Sequence, residues 1–487
     1  MARSTKTNST HSHPPPWLSR RPEDLKLPPL HIKITPPSSS DEKNDSPTPQ
    51  QQVANEDIER DNAHDEVGTT ISSKNATNTQ AWIQVGVNHL VMMNSFGLIQ
   101  SFGIFQLPYE VMLNSTPSTV AWIGSVHIFL VYFLGAFTGW ILDRGYYRYS
   151  MALGSALQII GLVVAGFSRT VGMTFVFHGL FQGIGHGLMF CPAVTTTAVY
   201  FKNSKLRMVA LGIAGCGAST GGMLFPGIAR HTINTLGLNY TLWIMCGVVC
   251  FNSILIQGLA RTGSKVKSPA STHSSNQNYG IWHVFKKPSY TLYVIAMFFI
   301  FAGLWIPFFY TREYSSKALH ITKSQSFIVL IILNAAGIPG RMIPAFLVDL
   351  YLGTINTYIV TLLLSGVTLL LWPLVSSMSA MYPWSFAYGF CAGGVSSLLQ
   401  AGIASLNDEP EKTGTEIGMA FSVVAFASLL GGPVGGELIQ VAEATRGHGG
   451  RAYLYMMLFT AGIMLLGCGM LIVARIAKTG QKFRVKV

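Results

Sequence analysis

Charged residues are scarce in this chain of 487 residues. They make up 11% of it, against about 25% in an ordinary soluble protein, and this deficit disfavours a soluble enzyme. Cysteine is also scarce, and all six cysteines lie inside apolar runs rather than at paired spacings in polar loops. Neither a disulfide framework nor a zinc site is therefore predicted. Hydrophobic residues, at 49%, form long runs, which indicates a membrane protein.

The sequence also lacks motifs that indicate catalysis, cofactor or metal binding, and it lacks the cation pattern that indicates nucleic-acid binding. The chain has no Walker-type phosphate loop, no nucleophile elbow and no metal-ligand cluster, so we predict no enzymatic activity, no cofactor and no metal. The net charge is +12, but most cations of the apolar part sit in short gaps between apolar runs. Nucleic-acid binding would need them clustered on one solvated face, so no nucleic-acid partner is predicted.

Residues 1–81 differ in composition from everything that follows. They are rich in proline, serine, asparagine and aspartate and contain few large apolar residues, too few to offset chain entropy by burial. We predict a disordered leader on the cytoplasmic side. It has no apolar core of the kind that a cleavable secretory signal needs, so the first membrane helix must itself direct insertion.

The apolar part contains twelve candidate spans, each near the length of about 20 residues that a membrane helix needs. Their approximate extents are 82–105, 119–142, 149–168, 171–199, 208–229, 239–260, 290–310, 323–347, 355–375, 381–404, 416–440 and 452–475. Backbone polar groups must be paired inside a bilayer, which favours helices here. We therefore predict an all-α polytopic membrane protein with twelve transmembrane helices.

The distribution of lysine and arginine among the short loops predicts the orientation. Positive residues concentrate in alternate loops, which places both termini in the cytoplasm. The longest connection, 261–289, is predicted to be a cytoplasmic linker between two six-helix bundles, 82–260 and 290–476, and residues 477–487 a basic cytoplasmic tail. Two halves of six helices are typical of secondary transporters built from internal repeats. The predicted location is the plasma membrane.

Two loops support this internal repeat. The loop after the second span contains Gly139, Asp143 and Arg144, and the one after the eighth contains Asp349 and then Gly353. The first resembles the loose signature G-x-x-x-D-R-x-G-R of the major facilitator superfamily, and the second resembles its degenerate copy. The resemblance implies a conformational gate at Gly139, Asp143, Arg144 and Asp349. The alternative is an acidic interfacial anchor with positive-inside arginines.

The segment 200–222 carries a narrower resemblance. It is similar to the pattern Y-F-x-K-R-R-x-x-A-x-G-x-A-x-x-G-S-x-x-G of the monocarboxylate porter family, and the start of the first span resembles the fungal branch. The matching residues are Tyr200, Phe201, Lys202, Arg207, Ala210, Gly212, Ala214, Gly217 and Gly221. This likeness implies secondary transport of a small organic acid or related metabolite. Efflux of an acidic secondary metabolite, uptake of a nutrient such as a vitamin, and a non-transporting sensor all stay open.

Arg341 is the leading candidate for binding a substrate. Its surroundings in the eighth span resemble a segment that, in mammalian-type members of the family, holds an arginine associated with carboxylate binding. A guanidinium offers a carboxylate two parallel hydrogen bonds, which suits an organic anion. The equally weighted alternative is a residue of the degenerate gate loop. The family's lysine and aspartate correspond to Gln100 and Gly337 here, which disfavours lactate-like proton-coupled transport.

The fourth span offers further candidates. His178, Gln182 and His186 recur at i, i+4 and i+8, so all three are predicted near one helical face. The family fold implies that this helix lines the central cavity, which makes the stripe a substrate site or a site of proton coupling. The alternative is interhelical hydrogen bonding beside glycines of the same helix. Asn94 and Gln100 of the first span are also candidates for binding a substrate, and the alternative for both is a role in helix packing.

Overall fold

The computed structural model describes residues 79–137, 144–201, 204, 206–261, 285–348, 353–406, 413–447 and 449–480. All regular structure within these ranges is helical. The predicted leader, except for its last residues, most of the predicted linker and most of the basic tail lie outside the described residues. The disorder, the linker and the division into two bundles therefore stay predictions.

The first six helices alternate with short connections. They are α1 (Thr79–Gln100 continued by Gly103–Leu113), α2 (Pro117–Phe137), α3 (Tyr147–Ala165), α4 (Val171–Thr174, a π-helical turn at Phe175–Phe181, then Gln182–Tyr200), α5 (Arg207–Thr232) and α6 (Leu238–Leu259). The π-helical turn changes the phase of α4 in its first half, because it has more residues per turn than an α-helix.

The remaining helices follow the same plan. They are α7 (Pro288–Leu304 continued by Ile306–Lys317), α8 (Lys323–Leu347), α9 (Thr354–Leu370), α10 (Met378–Leu406), α11 (Thr413–Arg446) and α12 (Leu454–Thr479). In the described part of the chain nine helices are long and apolar enough to cross a membrane, or ten if the bent α1 counts as one span. The two others, α4 and α10, are rich in glycine and polar residues.

Helices α1 and α7 are both interrupted. The two parts of α1 meet at an angle of 50°, and the hydroxyls of Ser95 and Ser101 donate to carbonyls of the preceding turn, which bends helices. In α7 the break falls at Trp305, and Pro307 follows in the first turn of the second part. Proline removes a backbone donor and clashes with the preceding turn, so it favours a new helix start.

The predicted first and seventh spans, 82–105 and 290–310, end too early. Helix α1 continues to Leu113 and α7 continues to Lys317. Polar and charged residues interrupt the apolar run in both extensions, which is why the hydropathy pattern stops before the helix does. In the fold these polar side chains pair with one another across the two helices, so the helix can continue past the apolar run.

The first six helices pack on the last six mainly through two long pairs, α2 along α11 and α5 along α8, and the second parts of α1 and α7 also touch. Glycine allows the close approach at both contacts. A Cβ atom on Gly436 of α11 would lie 2.6 Å from the backbone nitrogen of Ser118 in α2. In the same way, a Cβ atom on Gly222 of α5 would collide with the Asn334 side chain of α8. The space between these two contacts holds the buried polar groups described next.

Candidate functional site

Four buried polar side chains meet where α1, α5 and α8 come together. This central polar cluster consists of Gln100, Ser219, Asn334 and Arg341, and each of them is nearly inaccessible to solvent. The cluster joins the first six helices to the last six, because Gln100 and Ser219 come from α1 and α5 whereas the other two residues come from α8. A group held here contacts both sets of helices.

Neutral hydrogen-bond acceptors hold the Arg341 guanidinium in place. Its Nη1 donates to Ser219 Oγ at 2.6 Å and to the Gly337 carbonyl at 3.0 Å. With the Gln100 amide oriented to satisfy both of its ends, Gln100 Oε1 accepts from Arg341 Nη2 at 2.9 Å and its nitrogen donates to Asn334 Oδ1 at 2.7 Å. Gln100 thereby fixes the guanidinium plane without supplying a charge.

No carboxylate in the described part of the chain lies within salt-bridge distance of Arg341, which is 4% exposed. Buried charges are usually paired, because an unpaired one is costly. Gly337 occupies the position where the resemblance to the monocarboxylate porter family would place an aspartate. A Cβ atom there would lie 2.5 Å from Ser219 Oγ and 2.7 Å from Arg341 Nη1, so the present packing requires glycine and leaves the positive charge uncompensated.

A small cavity lies beside the guanidinium. It is too small to hold a water molecule and is lined by Gln100, Ser219, Phe308, Leu333, Asn334, Gly337, Arg341, Gly389 and Gly393. Pockets for drug-sized ligands are about 300 to 1,000 Å³. The helices must therefore separate before a ligand of that size can reach Arg341.

Aromatic side chains extend from this cavity toward α2 and α4. Phe308 packs against Trp305 with ring centroids 5.7 Å apart, and Trp305 stacks on Phe96 at 6.1 Å. Phe96 also contacts Phe190 at 5.0 Å and Tyr132 at 5.7 Å. These five residues, called the aromatic wall below, come from α1, α2, α4 and α7, so the positive centre is adjacent to a large apolar surface.

A second polar group lies among α1, α2 and α4 and contains three buried histidines. Tyr109 Oη is 2.7 Å from His178 Nδ1. His186 Nδ1 forms a hydrogen bond with His127 Nε2, and the two rings stack with centroids 4.6 Å apart. His186 Nε2 is buried without a hydrogen-bond partner. Sequence reasoning missed His127, although it is the one histidine in the apolar run of α2 and that signal was available.

The remaining candidates of the fourth and first helices contact other elements. Gln182 Nε2 donates to the Gln158 carbonyl of α3 at 2.6 Å. Asn94 Oδ1 accepts from Asn252 of α6 at 2.8 Å. The predicted stripe of α4 therefore meets three different helices, since His178 faces α1, Gln182 faces α3 and His186 faces α2. The π-helical turn, which contains His178 and ends just before Gln182, accounts for part of this divergence.

The predicted gate falls largely outside the described residues. Gly139, Asp143 and Asp349 are not among them, and Arg144 is exposed in the turn before α3. A gate at these residues stays a prediction. The opposite end of the bundle, by contrast, is described in full where α1 meets α7.

At that opposite end Lys317 of α7 holds two carboxylates. Its Nζ donates to Glu110 Oε2 of α1 at 3.0 Å and to Glu313 Oε1 at 2.9 Å. Tyr453 Oη also donates to Glu313 Oε1 at 2.9 Å. We call Glu110, Glu313 and Lys317 the ionic cluster. Arg312 does not pair with these acids but donates to backbone carbonyls of the second part of α1.

Comparisons with known proteins agree with this architecture. The sequence profile of the Major Facilitator Superfamily matches residues 81–409. A protein of Gibberella zeae named as an MFS-type transporter is 33% identical, over 82% of this chain and 88% of its own length. The aspyridones efflux protein apdF of Emericella nidulans is 28% identical, over 77% of this chain and 74% of its own length.

Solved structures add a likeness of fold. The crystal structure of the nucleoside transporter NupG superposes with a TM-score of 0.62, covering 81% of this chain and 99% of that one. The sequences are 14% identical, so this likeness concerns the arrangement of the helices.

Proposed function

Because the chain belongs to the Major Facilitator Superfamily, we propose that it is a secondary transporter that exports an acidic secondary metabolite by alternating access. The observation that carries the proposal is the buried Arg341, which has neutral partners and no carboxylate among the described residues. An anionic substrate would supply the missing charge. A guanidinium can bind a carboxylate through two parallel hydrogen bonds, which gives geometric selection as well as attraction.

The surroundings of Arg341 favour a substrate with an apolar body. The aromatic wall begins at the cavity that holds the guanidinium and continues through Trp305 and Phe96. Aromatic side chains bind apolar and aromatic surfaces through burial and stacking. We therefore infer a substrate class in which one acidic group is attached to a hydrophobic or aromatic body.

Relatives favour export as the direction. The apdF protein is named for the efflux of aspyridones, and the agnestins efflux protein AgnL12 is a further similar protein. The finer placement among monocarboxylate porters is part of the proposal and is supported by the segment 200–222. A plasma-membrane location is also part of the proposal, and so is the cytoplasmic placement of both termini, which the lysine and arginine distribution supports.

Counterflow in proteoliposomes tests transport and substrate charge together. We expect vesicles loaded with an unlabelled amphipathic carboxylic acid to accumulate the same acid in labelled form, because exchange needs only alternating access. The matched neutral methyl ester should show no saturable exchange. Equal exchange of the acid and the ester would contradict anion recognition. Saturable binding without exchange for every acid tried would favour a sensor on the same fold, and accumulation by intact cells would favour an uptake carrier.

Coupling to protons is the second part of the proposal, and the His127–His186 pair is its best-supported site. Two imidazoles in hydrogen-bond contact can hold one proton between them, whereas two protonated rings would repel each other. The unpartnered Nε2 of His186 leaves one position of the pair free for a proton. We propose that this pair takes up and releases the coupled proton as the helices move.

Replacing His186 by glutamine tests this coupling. Glutamine keeps a hydrogen bond to His127 but does not titrate, so counterflow should persist while accumulation driven by a pH gradient is lost. For one coupled proton, one pH unit supports about a tenfold concentration ratio, and that ratio should fall to one. His231→Gln, at an exposed histidine of α5, is the matched control and should behave as the wild type. Undiminished gradient-driven accumulation in His186→Gln would exclude the pair as the coupling site.

A further inference from the structure

The ionic cluster is a contact between the two sets of six helices. Glu110 belongs to α1, whereas Lys317 and Glu313 both belong to α7 and are four residues apart. Among the described residues, the pair of Lys317 with Glu110 is the one ion pair that links the two sets. When this end of the bundle opens, Lys317 must leave Glu110 but can keep Glu313, because that partner moves with the same helix.

Close backbone contacts between α1 and α7 also hold this end of the bundle closed. A Cβ atom on Gly103 of α1 would lie 2.6 Å from the Phe308 carbonyl of α7, so the two interrupted helices touch directly at their breaks. Arg312 donates to the carbonyls of Gly103 at 3.4 Å and of Ile104 at 3.2 Å. Pro108 has no N–H, so the Ile104 carbonyl lacks its partner within α1. Closure of this end therefore satisfies groups that opening would expose to water.

One oxygen of the cluster has no partner. Glu313 is 1% exposed, and its Oε2 is buried without a hydrogen bond. Its Oε1 already accepts from both Lys317 and Tyr453. An ionised carboxylate with an unsatisfied oxygen is costly away from water, whereas a protonated carboxyl removes the charge from that oxygen.

The charged groups around Glu313 also favour the protonated form of its carboxyl. The acids facing the region are Glu110, Glu313 and, from α11, Glu443, which lies within electrostatic range of Tyr453. The cations are Lys317 and Arg312. The other titratable groups packed nearby are three tyrosines, Tyr310, Tyr314 and Tyr453, whose hydroxyls donate to Gly432, to Val375 and to Glu313 itself. Within the ionic cluster two carboxylates, Glu110 and Glu313, share the one ammonium of Lys317, so a single proton neutralises the cluster.

We propose that Glu313 is a proton-binding site that locks the α1–α7 end of the bundle closed. In the closed state the proton sits on the buried carboxyl, and Lys317 bridges Glu110 and Glu313. Opening admits water, ionises Glu313 and releases the proton to that side of the membrane. Because closure and proton binding stabilise each other reciprocally, acidic pH favours the closed end and alkaline pH favours the open end.

Distance measurements between two spin labels test this lock without any substrate. The labels are placed at Leu236→Cys, between α5 and α6, and at Leu374→Cys, between α9 and α10, which are 52% and 73% exposed. The background is the full chain with its native cysteines replaced by alanine, held in lipid nanodiscs. Between about pH 8 and pH 5 the short-distance population should grow. One linked proton limits the change in the closed-to-open ratio to about tenfold per pH unit.

Three variants make the test specific. Glu313→Gln, which imitates the protonated carboxyl, should show the short distance at every pH. Glu110→Gln removes the ion pair between the two sets of helices, so the long-distance population should grow and its change with pH should become smaller. Glu437→Gln changes an exposed carboxylate of α11 and should match the wild type.

A wild-type distribution that does not change with pH would overturn the proposal, and so would a wild-type pH response in Glu313→Gln. If Glu313→Gln does not yield monodisperse protein, an unaltered distribution in Glu110→Gln overturns it instead. The inference rests on alternating access but not on the substrate. If the distances do not respond to pH, the proposal of anion transport is unaffected. If the acid shows no counterflow, the proposed lock can still be tested by the distance measurements.

Discussion

Arg341→Lys is expected to impair transport almost as much as Arg341→Gln, although lysine keeps the positive charge. The guanidinium holds Ser219 and the Gly337 carbonyl through one nitrogen and Gln100 through the other. A lysine ammonium is a point charge, so it cannot keep these contacts and also offer an anion two parallel bonds. Loss of one charge-assisted hydrogen bond costs about 1.5 to 3 kcal/mol, or roughly ten- to a hundredfold in affinity.

Initial rates of labelled-acid exchange in proteoliposomes, normalised to the amount of inserted protein, measure this effect. Arg451→Lys is the matched control, because Arg451 is exposed at the end of the bundle that precedes α12, and it should retain full activity. The alternative assignment of Arg341, as a residue of the gate loop, predicts a different result. A positive charge would then be sufficient at this position, and Arg341→Lys would exchange the acid at a near-normal rate. That result would remove the main argument for an acidic substrate.

Gly389→Val is expected to abolish the folded, inserted protein. Gly389 of α10 faces α8, and a Cβ atom there would collide with the Leu333 carbonyl. Gly340 and Gly393 also make close approaches between the same two helices, to the carbonyls of Phe390 and Gly337. A backbone carbonyl cannot move aside as a flexible side chain can. Overpacking usually costs about 1 to 3 kcal/mol, and separation of two helices that also hold Arg341 should exceed this range.

The measurement is the yield of monodisperse protein and its melting temperature after extraction in mild detergent. Gly462→Val provides the matched control, since Gly462 of α12 has nothing within 4 Å of a Cβ atom. It should retain the wild-type yield and melting temperature. Wild-type yield together with a wild-type melting temperature for Gly389→Val would show that α8 and α10 do not pack as described.

The site was partly visible in the sequence. Arg341 stands out because a cation inside an apolar run is costly, and Gln100 stands out as an amide in the first span. Their direct contact was not predictable, because it depends on how far α1 and α8 slide along one another. His127 could have been noticed as an isolated histidine in an apolar run, but its pairing with His186 could not, since the partner lies on another helix.

Composition and pattern were sufficient for the all-helical membrane fold, and the resemblance of the loop after the second span indicated the Major Facilitator Superfamily. A bilayer requires long apolar segments with paired backbone groups, and that requirement is local, so it can be read along the chain. The tertiary structure decided which side chains meet, such as Lys317 and Glu110, which are 207 residues apart. In a chain that is apolar on nearly every face, hydrophobicity does not select the helix faces that pair. Glycine contacts and interhelical hydrogen bonds select them, and these exist only once the helices are packed.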